Sequence, residues 1–300
     1  MNPEPNRPEP GTEGGGGPAS IERLHPRPVP RPWGGGGLLH LGLPGSSDGP
    51  IGEWWLPDDG LGLLVKIIDA RQNLSIQLHP DDATAERLGL PCGKAEAWYV
   101  LEAAPGARLW VGLEAGVDRE RLLADARSGR DVSELLNVIR PTPGTVINVP
   151  PGTVHAIGAG LVLLEVQQVS DTTFRLFDWN RRPARELHLE EAGLALREDP
   201  AAGLVLPAPF RERSPGEPRC LLLTPLFELA AVRAPGTTSQ PAASAELWFA
   251  ERGDTLIRHG GRELLLRQGQ FCKISGPIGT IELVPAVEQA VTELIRVRTT

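Results

Sequence analysis

The chain has 300 residues, of which 40% are hydrophobic and 23% are charged, and its net charge is −8. It contains no basic run, which argues against nucleic acid as a partner, and no apolar stretch as long as a membrane span. Its three cysteines, Cys92, Cys220 and Cys272, suggest neither a disulfide framework nor a CxxC metal motif, so we expect a cytoplasmic protein.

Composition and periodicity divide the chain into four parts. Residues 1–20 are rich in Pro and Gly, lack the pattern of a signal peptide, and are predicted to be a disordered tail. Residues 21–194 are dominated by strand patterns, with helical spacing over 118–140 that the pair Ser128-Gly129 divides into two helices. A linker over 195–218 then leads to a second series of short strands over 219–300.

The two β-regions show a faint internal repeat. The segment GTVINVPPGTVH (144–155) can be aligned with GQFCKISGPIGT (269–280), since each has a Gly, a strand, a tight turn and a second strand. The alignment places His155 opposite Thr280. If the repeat is real, the second copy has lost this histidine.

Four polar side chains in the first β-region form a candidate metal site. In NLSIQLHPDD (73–82) apolar and polar residues alternate, which places Gln77 and His79 on one face of a strand. Glu96 opens the strand EAWYVLEA, and His155 follows the turn PPGT. Two histidines and a carboxylate facing one interior suit Zn²⁺, Fe²⁺ or Mn²⁺, to which Gln77 can add a carbonyl oxygen. Taken singly, each histidine is more typical of a structural residue.

The turn before His155 resembles the second motif of the cupin barrels, and Gln77-x-His79 stands where the first cupin motif has His-x-His. Longer segments resemble the type I mannose-6-phosphate isomerases in their short bacterial form: PRPWGGGGL, IGEWW, LSIQLHPDD, GKAEAWYV, VPPGTVHAIG, LLEVQQVSDTTFRLFDWNR and RELHLE. The match runs from Pro28 to Glu190. It implies two cupin-like jelly rolls in tandem, with a small helical insertion and a degenerate second barrel.

The resemblance also implies a metal and a reaction. One Zn²⁺ per chain is expected on four side chains: Gln77, His79, Glu96 and His155. The expected reaction is the interconversion of mannose 6-phosphate and fructose 6-phosphate through an enediol. Glu165 is implied as an acid/base residue, Lys94 as a group that assists proton transfer or binds substrate, and Arg175 as a fixed positive charge.

Structural alternatives exist for each of these three residues. Glu165 and Arg175 could form a salt bridge with each other, and Arg175 could be a cation of the scaffold. Lys94 could be a solvated residue at a strand edge.

The phosphate-binding residues stay unassigned. Three arginines after the strand TTFRLFDWN could reach a phosphate or be surface charge: Arg181, Arg182 and Arg185. Asp81 and Asp82 are expected to cap a short helical turn, not to bind metal.

Three other functions compete with the expected one. A cupin oxygenase would use Fe²⁺ on two histidines and a carboxylate, but the Gln-x-His pair and the charged candidates argue against it. A non-catalytic sugar-binding cupin would not need all of these side chains. An isomerase of another phosphosugar is harder to exclude, since the link LPDDGLG (56–62) is shorter than the insertion usual in the family. The expected partner is a small phosphosugar, and the chain is a monomer or homodimer.

Overall fold

A computed structural model describes residues 19–56, 60–197, 204–205, 216–242, 245–276, 279–288 and 290–300. The described chain consists mainly of strands in two tandem jelly-roll sandwiches, which confirms the predicted all-β class. The predicted tail lies outside the described residues except for Ala19 and Ser20, and Ser20 begins a strand. Most of the predicted linker also lies outside them. None of the described helices is long and apolar enough to cross a membrane.

The strands of the first part of the chain are β1 (Ser20–Leu24), β2 (Arg27–Gly35), β3 (Gly37–Leu38), β4 (Leu43–Pro44), β5 (Ile51–Trp55), β6 (Leu63–Ala70), β7 (Ile76–Leu78), β8 (Glu96–Ala103), β9 (Leu109–Leu113), β10 (Leu136–Ile139), β11 (Val146–Val149), β12 (His155–Ile157), β13 (Leu161–Gln168), β14 (Phe174–Phe177) and β15 (Leu204–Val205). The helices are α1 (Asp82–Arg87), α2 (Arg119–Arg127) and α3 (Leu189–Ala195), with 3₁₀ turns at Leu39–Leu41 and Ser133–Leu135.

The strands of the second part are β16 (Arg219–Leu223), β17 (Phe227–Ala234), β18 (Thr238–Ala242), β19 (Ala245–Arg252), β20 (Thr255–His259), β21 (Arg262–Leu266), β22 (Phe271–Ser275), β23 (Gly279–Pro285) and β24 (Thr292–Thr299).

Two antiparallel sheets form the first jelly roll. One runs β15-β11-β8-β13-β6-β5-β2, and the other runs β10-β9-β12-β7-β14. Alternate residues of the large sheet, such as Trp98 and Leu163, point into the interior of this sandwich and pack with residues of the small sheet. Their neighbours, such as Tyr99 and Leu164, face the second jelly roll instead. The large sheet is therefore buried on both faces.

The second jelly roll repeats this arrangement. Its sheets run β1-β22-β19-β24-β17-β16 and β18-β23-β20-β21, so β22 and β23 take the positions that β11 and β12 have in the first. This correspondence supports the internal repeat. Thr280, the expected counterpart of His155, is exposed, whereas its neighbour Ile281 is buried in the core. Strand β1 lies in this second sandwich, although its residues 21–24 fall within the range predicted for the first domain.

The two sandwiches share one large apolar interface. Residues from the outer faces of both large sheets, including Ile67, Phe249 and Ile295, form a single buried cluster. The hydroxyl of Tyr99 donates to the carboxylate of Glu251 at 2.9 Å and adds a polar tie between the two halves. The apolar burial supplies most of the attraction between these faces.

Helices α2 and α3 cover the outer face of the small sheet. Leu122 of α2 and Ala192 of α3 pack on Ile76 and Leu78 of β7. The prediction of a second helix within 118–140 is wrong, because a 3₁₀ turn and strand β10 follow α2. Pairing of β10 with β9 satisfies the backbone there, and the Asn137 side chain donates to a carbonyl of β9 at a bulge.

Candidate metal centre and active site

Strand β7 brings two of the predicted residues to the interior of the first jelly roll. Because Ile76 and Leu78 pack beneath the helices, the alternate residues Gln77 and His79 lie on the opposite face. His155, the first residue of β12, pairs directly with Gln77 across the sheet. Glu96 begins β8 on the facing large sheet.

Three of the four predicted metal ligands converge. One ligand atom from each of His79, Glu96 and His155 lies within 4.8 Å of the others, and all three side chains are buried. The Nε2 atoms of His79 and His155 lie 3.4 and 3.3 Å from oxygens of Glu96. Among the described residues these Nε2 atoms have no hydrogen-bond partner, whereas Oε2 of Glu96 has the ammonium of Lys94 at 3.2 Å. Buried polar atoms without partners are rare in proteins, so the cluster fits a cation that all three would bind.

Hydrogen bonds at the far side of each ring orient the two imidazoles. Nδ1 of His79 lies 2.7 Å from the carbonyl of Thr172, and Nδ1 of His155 lies 3.0 Å from the carbonyl of Thr153. A carbonyl accepts only, so each Nδ1 carries the proton and each Nε2 presents its lone pair to the cluster.

Burial sets the protonation of the cluster. It lowers the pKa of His79 to about 3, with help from the charge of Lys94, and it also lowers the pKa of His155. Burial alone would raise the pKa of Glu96, but the charge of Lys94 is the largest cause that holds it well below its usual range. Two neutral imidazoles and a carboxylate are the forms that a divalent metal requires.

Gln77 lies beside this cluster. It lines a cavity that opens beside the cluster, and its Oε1 accepts a hydrogen bond from Ser75 at 2.9 Å. Its position opposite His155 is compatible with the predicted role of a fourth, weaker ligand.

A cavity of about 400 Å³ opens over the cluster and contains all three predicted catalytic residues. Lys94 is 5% exposed, and its Nζ lies 3.2 Å from Oε2 of Glu96, so it is not a solvated edge residue. Arg175 donates from Nε to Ser75 at 3.2 Å and from Nη1 to the carbonyl of Glu186 at 2.7 Å. Cavities of this size hold small-molecule ligands.

Glu165 pairs with a residue that sequence reasoning missed. Its Oε1 accepts from Nζ of Lys66 at 2.9 Å, and its Oε2 accepts from Nε1 of Trp98 at 3.0 Å. The alternative of a Glu165–Arg175 salt bridge is therefore wrong. Lys66 is 3% exposed; burial alone would lower its pKa, but the charges of Glu165 and Glu53 raise it. A lysine within the apolar strand LLVKIIDA was the signal that could have identified it.

Two of the three arginines after β14 are held by one carboxylate. The carboxylate of Asp178 accepts hydrogen bonds from Arg181 at 2.7 Å and from Arg185. Arg185 lines the cavity, and Arg181 does not. Arg182 is exposed. By contrast, within the described chain Arg175 forms no ion pair with a carboxylate, which leaves it the cavity cation best able to meet an anionic group.

Two neighbouring loops hold these side chains in place. Asp81 caps α1 by accepting from the backbone N–H of Thr84 at 2.7 Å, as expected. Oδ1 of Asp82 accepts from the N–H of Gly93 at 2.8 Å, which anchors the loop before Lys94. Both aspartates therefore act on the backbone around the site.

Comparison with known proteins supports the fold and relates half of the sequence to one family. No protein-family model matches the chain. Over 142 residues it is 42% identical to the mannose-6-phosphate isomerase ManA of Bacillus subtilis, an alignment that covers 46% of this chain and 44% of that protein. A mannose-6-phosphate isomerase of Streptococcus mutans is 42% identical over 134 residues, covering 43% and 42%. In sequence, the chain thus spans less than half the length of the curated relatives that it matches.

The structural match extends much further along the chain. The crystal structure of the mannose 6-phosphate isomerase from Bacillus subtilis superposes with a TM-score of 0.76 at 22% identity, covering 93% of this chain and 99% of that one. A zinc-bound mannose 6-phosphate isomerase gives a TM-score of 0.71 at 19% identity, covering 94% and 100%. The predicted resemblance to the type I mannose-6-phosphate isomerases is confirmed, and their fold spans both jelly rolls.

Proposed function

We propose that the chain is a zinc-dependent isomerase that interconverts mannose 6-phosphate and fructose 6-phosphate. The observation that carries the proposal is the convergence of His79, Glu96 and His155 at a cavity that Glu96, His155 and the Lys66–Glu165 ion pair line. The 42% identity of the matched segment to two mannose-6-phosphate isomerases supports the choice of reaction and substrate.

His79, Glu96 and His155 would hold the Zn²⁺, with Gln77 as a fourth ligand through its amide oxygen. Bound zinc would act as a Lewis acid and stabilise negative charge on the sugar oxygens. One carboxylate ligand with neutral donors leaves net positive charge in the site, which suits an anionic intermediate.

Moving a proton between C1 and C2 requires a group that takes it and returns it. We assign this role to Glu165, because its carboxylate lines the cavity and both of its oxygens are held by N–H donors. Lys94 would assist from the same cavity by hydrogen bonding to a sugar oxygen. The acid/base residue and the metal ligands then act on the same end of the sugar.

Arg175 is the proposed contact for the enediolate or the phosphate. Its guanidinium is half buried and lines the cavity without a carboxylate partner in the described chain. Fixed positive charge in a partly desolvated wall attracts either anion. Arg185 lines the same wall but is already held by Asp178, so it is the weaker candidate for the phosphate.

Another phosphosugar is the alternative substrate, because the link over 56–62 is shorter than the insertion usual in the family. Residues 57–59 of this link lie outside the described ones. A cytoplasmic location, a monomeric or homodimeric state and the domain limits at 195–218 remain predictions.

The test is an isomerase assay on metal-stripped protein before and after addition of Zn²⁺, with Glu165→Gln and, as a matched control, Glu246→Gln. Glu246 is a buried glutamate bonded to a tryptophan in the second jelly roll. We expect zinc-dependent turnover that Glu165→Gln abolishes without loss of zinc and that Glu246→Gln retains. Stoichiometric zinc without turnover would mean another substrate, to be sought among phosphosugars. Absence of zinc binding would refute the proposal.

A further inference from the structure

One indole ring touches both halves of the proposed site. Trp98 is fully buried on β8, and its Nε1–H donates to Oε2 of Glu165 at 3.0 Å. The same ring meets His155 edge to face, with centroids 5.3 Å apart and planes at 72°. Among the described residues, no other side chain combines a hydrogen bond to Glu165 with a ring contact to His155.

The strand register fixes these contacts. Trp98 pairs with Glu165, and Glu165 pairs with Lys66, so the three side chains stand in one row across β8, β13 and β6. Lys66 holds one carboxylate oxygen and Trp98 holds the other. A carboxylate with both oxygens bonded to donors on neighbouring strands has little freedom to rotate, which is the requirement for a group that must meet a carbon-bound proton.

We infer that Trp98 is a positioning residue, whose indole holds the Glu165 carboxylate and the His155 ring in a fixed relation. The inference rests on the proposed function, since it gives Glu165 the acid/base role. Loss of the N–H would free one oxygen of Glu165 while the aromatic packing on His155 persisted. The proton-transfer step would then slow, and substrate binding would be largely unaffected.

The chain contains a matched control. In the second jelly roll Trp248 is equally buried, and its Nε1–H donates to Oε2 of Glu246 at 3.0 Å. Strands β8 and β19 carry the same Glu-x-Trp spacing, Glu96-x-Trp98 and Glu246-x-Trp248. Trp248→Phe therefore removes an indole-to-carboxylate hydrogen bond in a similar setting, outside the cavity of the proposed active site.

The experiment compares Trp98→Phe, Trp248→Phe and the wild type in zinc content, kcat and KM for mannose 6-phosphate. We expect Trp98→Phe to lower kcat roughly 10- to 100-fold, as outer-shell changes do. We expect its KM to stay within about twofold and its zinc content to stay at the wild-type value. Trp248→Phe should leave kcat unchanged. An unaltered kcat in Trp98→Phe, or an equal loss in both variants, would overturn the inference.

A second measurement separates this inference from the proposed function and from a failure to fold. The indole N–H resonance of Trp98 is followed by NMR in ¹⁵N-tryptophan-labelled wild type and Glu165→Gln, and assigned against Trp98→Phe. A shift of this resonance on removal of the Glu165 charge supports the hydrogen bond between Trp98 and Glu165. Lack of turnover of mannose 6-phosphate by the wild type would instead contradict the proposed substrate, and it would leave this NMR result standing. An unshifted resonance refutes the positioning role whatever the activity.

Discussion

The metal centre should govern stability as well as chemistry. Without a metal, the Nε2 atoms of His79 and His155 stay buried with no hydrogen-bond partner among the described residues. Each such atom costs about 1–3 kcal/mol, so together they cost on the order of 2–6 kcal/mol in the metal-free protein. Zinc at 100 times its Kd should stabilise the wild type by about 2.7 kcal/mol, which corresponds to a rise in Tm of roughly 5–10 °C.

The substitution His155→Leu separates these two contributions. It removes one unpartnered nitrogen, which is favourable, but it also removes the hydrogen bond from Nδ1 to the carbonyl of Thr153, which is unfavourable. Because leucine is of similar size and these two effects oppose each other, we expect the metal-free unfolding free energy to stay within about 1 kcal/mol of the wild type. If losing one ligand raises Kd at least 100-fold, the same zinc concentration stabilises the variant by at most about 0.4 kcal/mol.

Urea unfolding with EDTA and with excess zinc measures both quantities. His259→Leu is the control, because His259 is also buried, has Nδ1 3.1 Å from the carbonyl of Thr280, and has Nε2 without a partner, yet it belongs to no metal cluster among the described residues. It should retain the full zinc response. Equal zinc stabilisation of His155→Leu and wild type would refute the assignment of His155 as a ligand.

Three further predictions concern other parts of the fold. Arg296→Met removes a buried cation from between the carboxylates of Glu228 and Glu246. We expect it to lower the unfolding free energy, measured in urea, by about 3–5 kcal/mol. The control Arg298→Met removes a more exposed cation and should lower it by less than about 1 kcal/mol. Burial would raise the pKa of Glu228, but hydrogen bonds from Arg296 and Arg298 lower it overall. The ionised carboxylate therefore stabilises the folded state fully above the pKa that Glu228 has in the unfolded chain. This stabilisation is lost as the pH falls through the pKa of the folded state. The urea midpoints of wild type and Glu228→Gln should therefore converge with acidification, and a constant gap down to pH 3 would contradict this. Asp81→Ala removes the N-cap of α1 and should cost about 1 kcal/mol, with Asp131→Ala at an exposed turn as the comparison.

The alternation of apolar and polar residues within single strands allowed much of the site to be predicted from the sequence. The pattern over 73–82 placed Gln77 and His79 together, because only a strand puts every second residue on one face. Alternation alone could not decide which face lines the interior, and the prediction that the polar face does so depended on the metal-ligand pattern. The apolar residues Ile76 and Leu78 pack under the helices, and the polar face is the one that lines the cavity.

Long-range register explains what sequence reasoning missed. Lys66 lies 99 residues from Glu165, and its role depends on β6 and β13 pairing in one register. Within LLVKIIDA every residue is apolar except Lys66 and Asp69, so the strand, buried on both faces, lacks the alternation that would show where Lys66 points. The same reason applies to β10, where cross-strand pairing overrode a helical spacing.

The second jelly roll shows how the charge of such a site can be balanced without a metal. Cross-strand rows correspond: Trp98 pairs with Glu165 in the first sandwich, and Trp248 pairs with Arg296 in the second. Glu246, in the same Glu-x-Trp spacing as Glu96, lies near the Arg296 guanidinium, with 3.8 Å between Nη1 and Oε1. Lys94 faces Glu96 in the same way in the first sandwich, at 3.2 Å, but Glu96 also faces two imidazoles whose Nε2 atoms a metal would join. The described residues form no such cluster with two imidazoles around Glu246. The difference predicts that zinc binds at one stoichiometric site, which metal analysis of Arg296→Met alongside the wild type would test: the variant should still hold one zinc per chain.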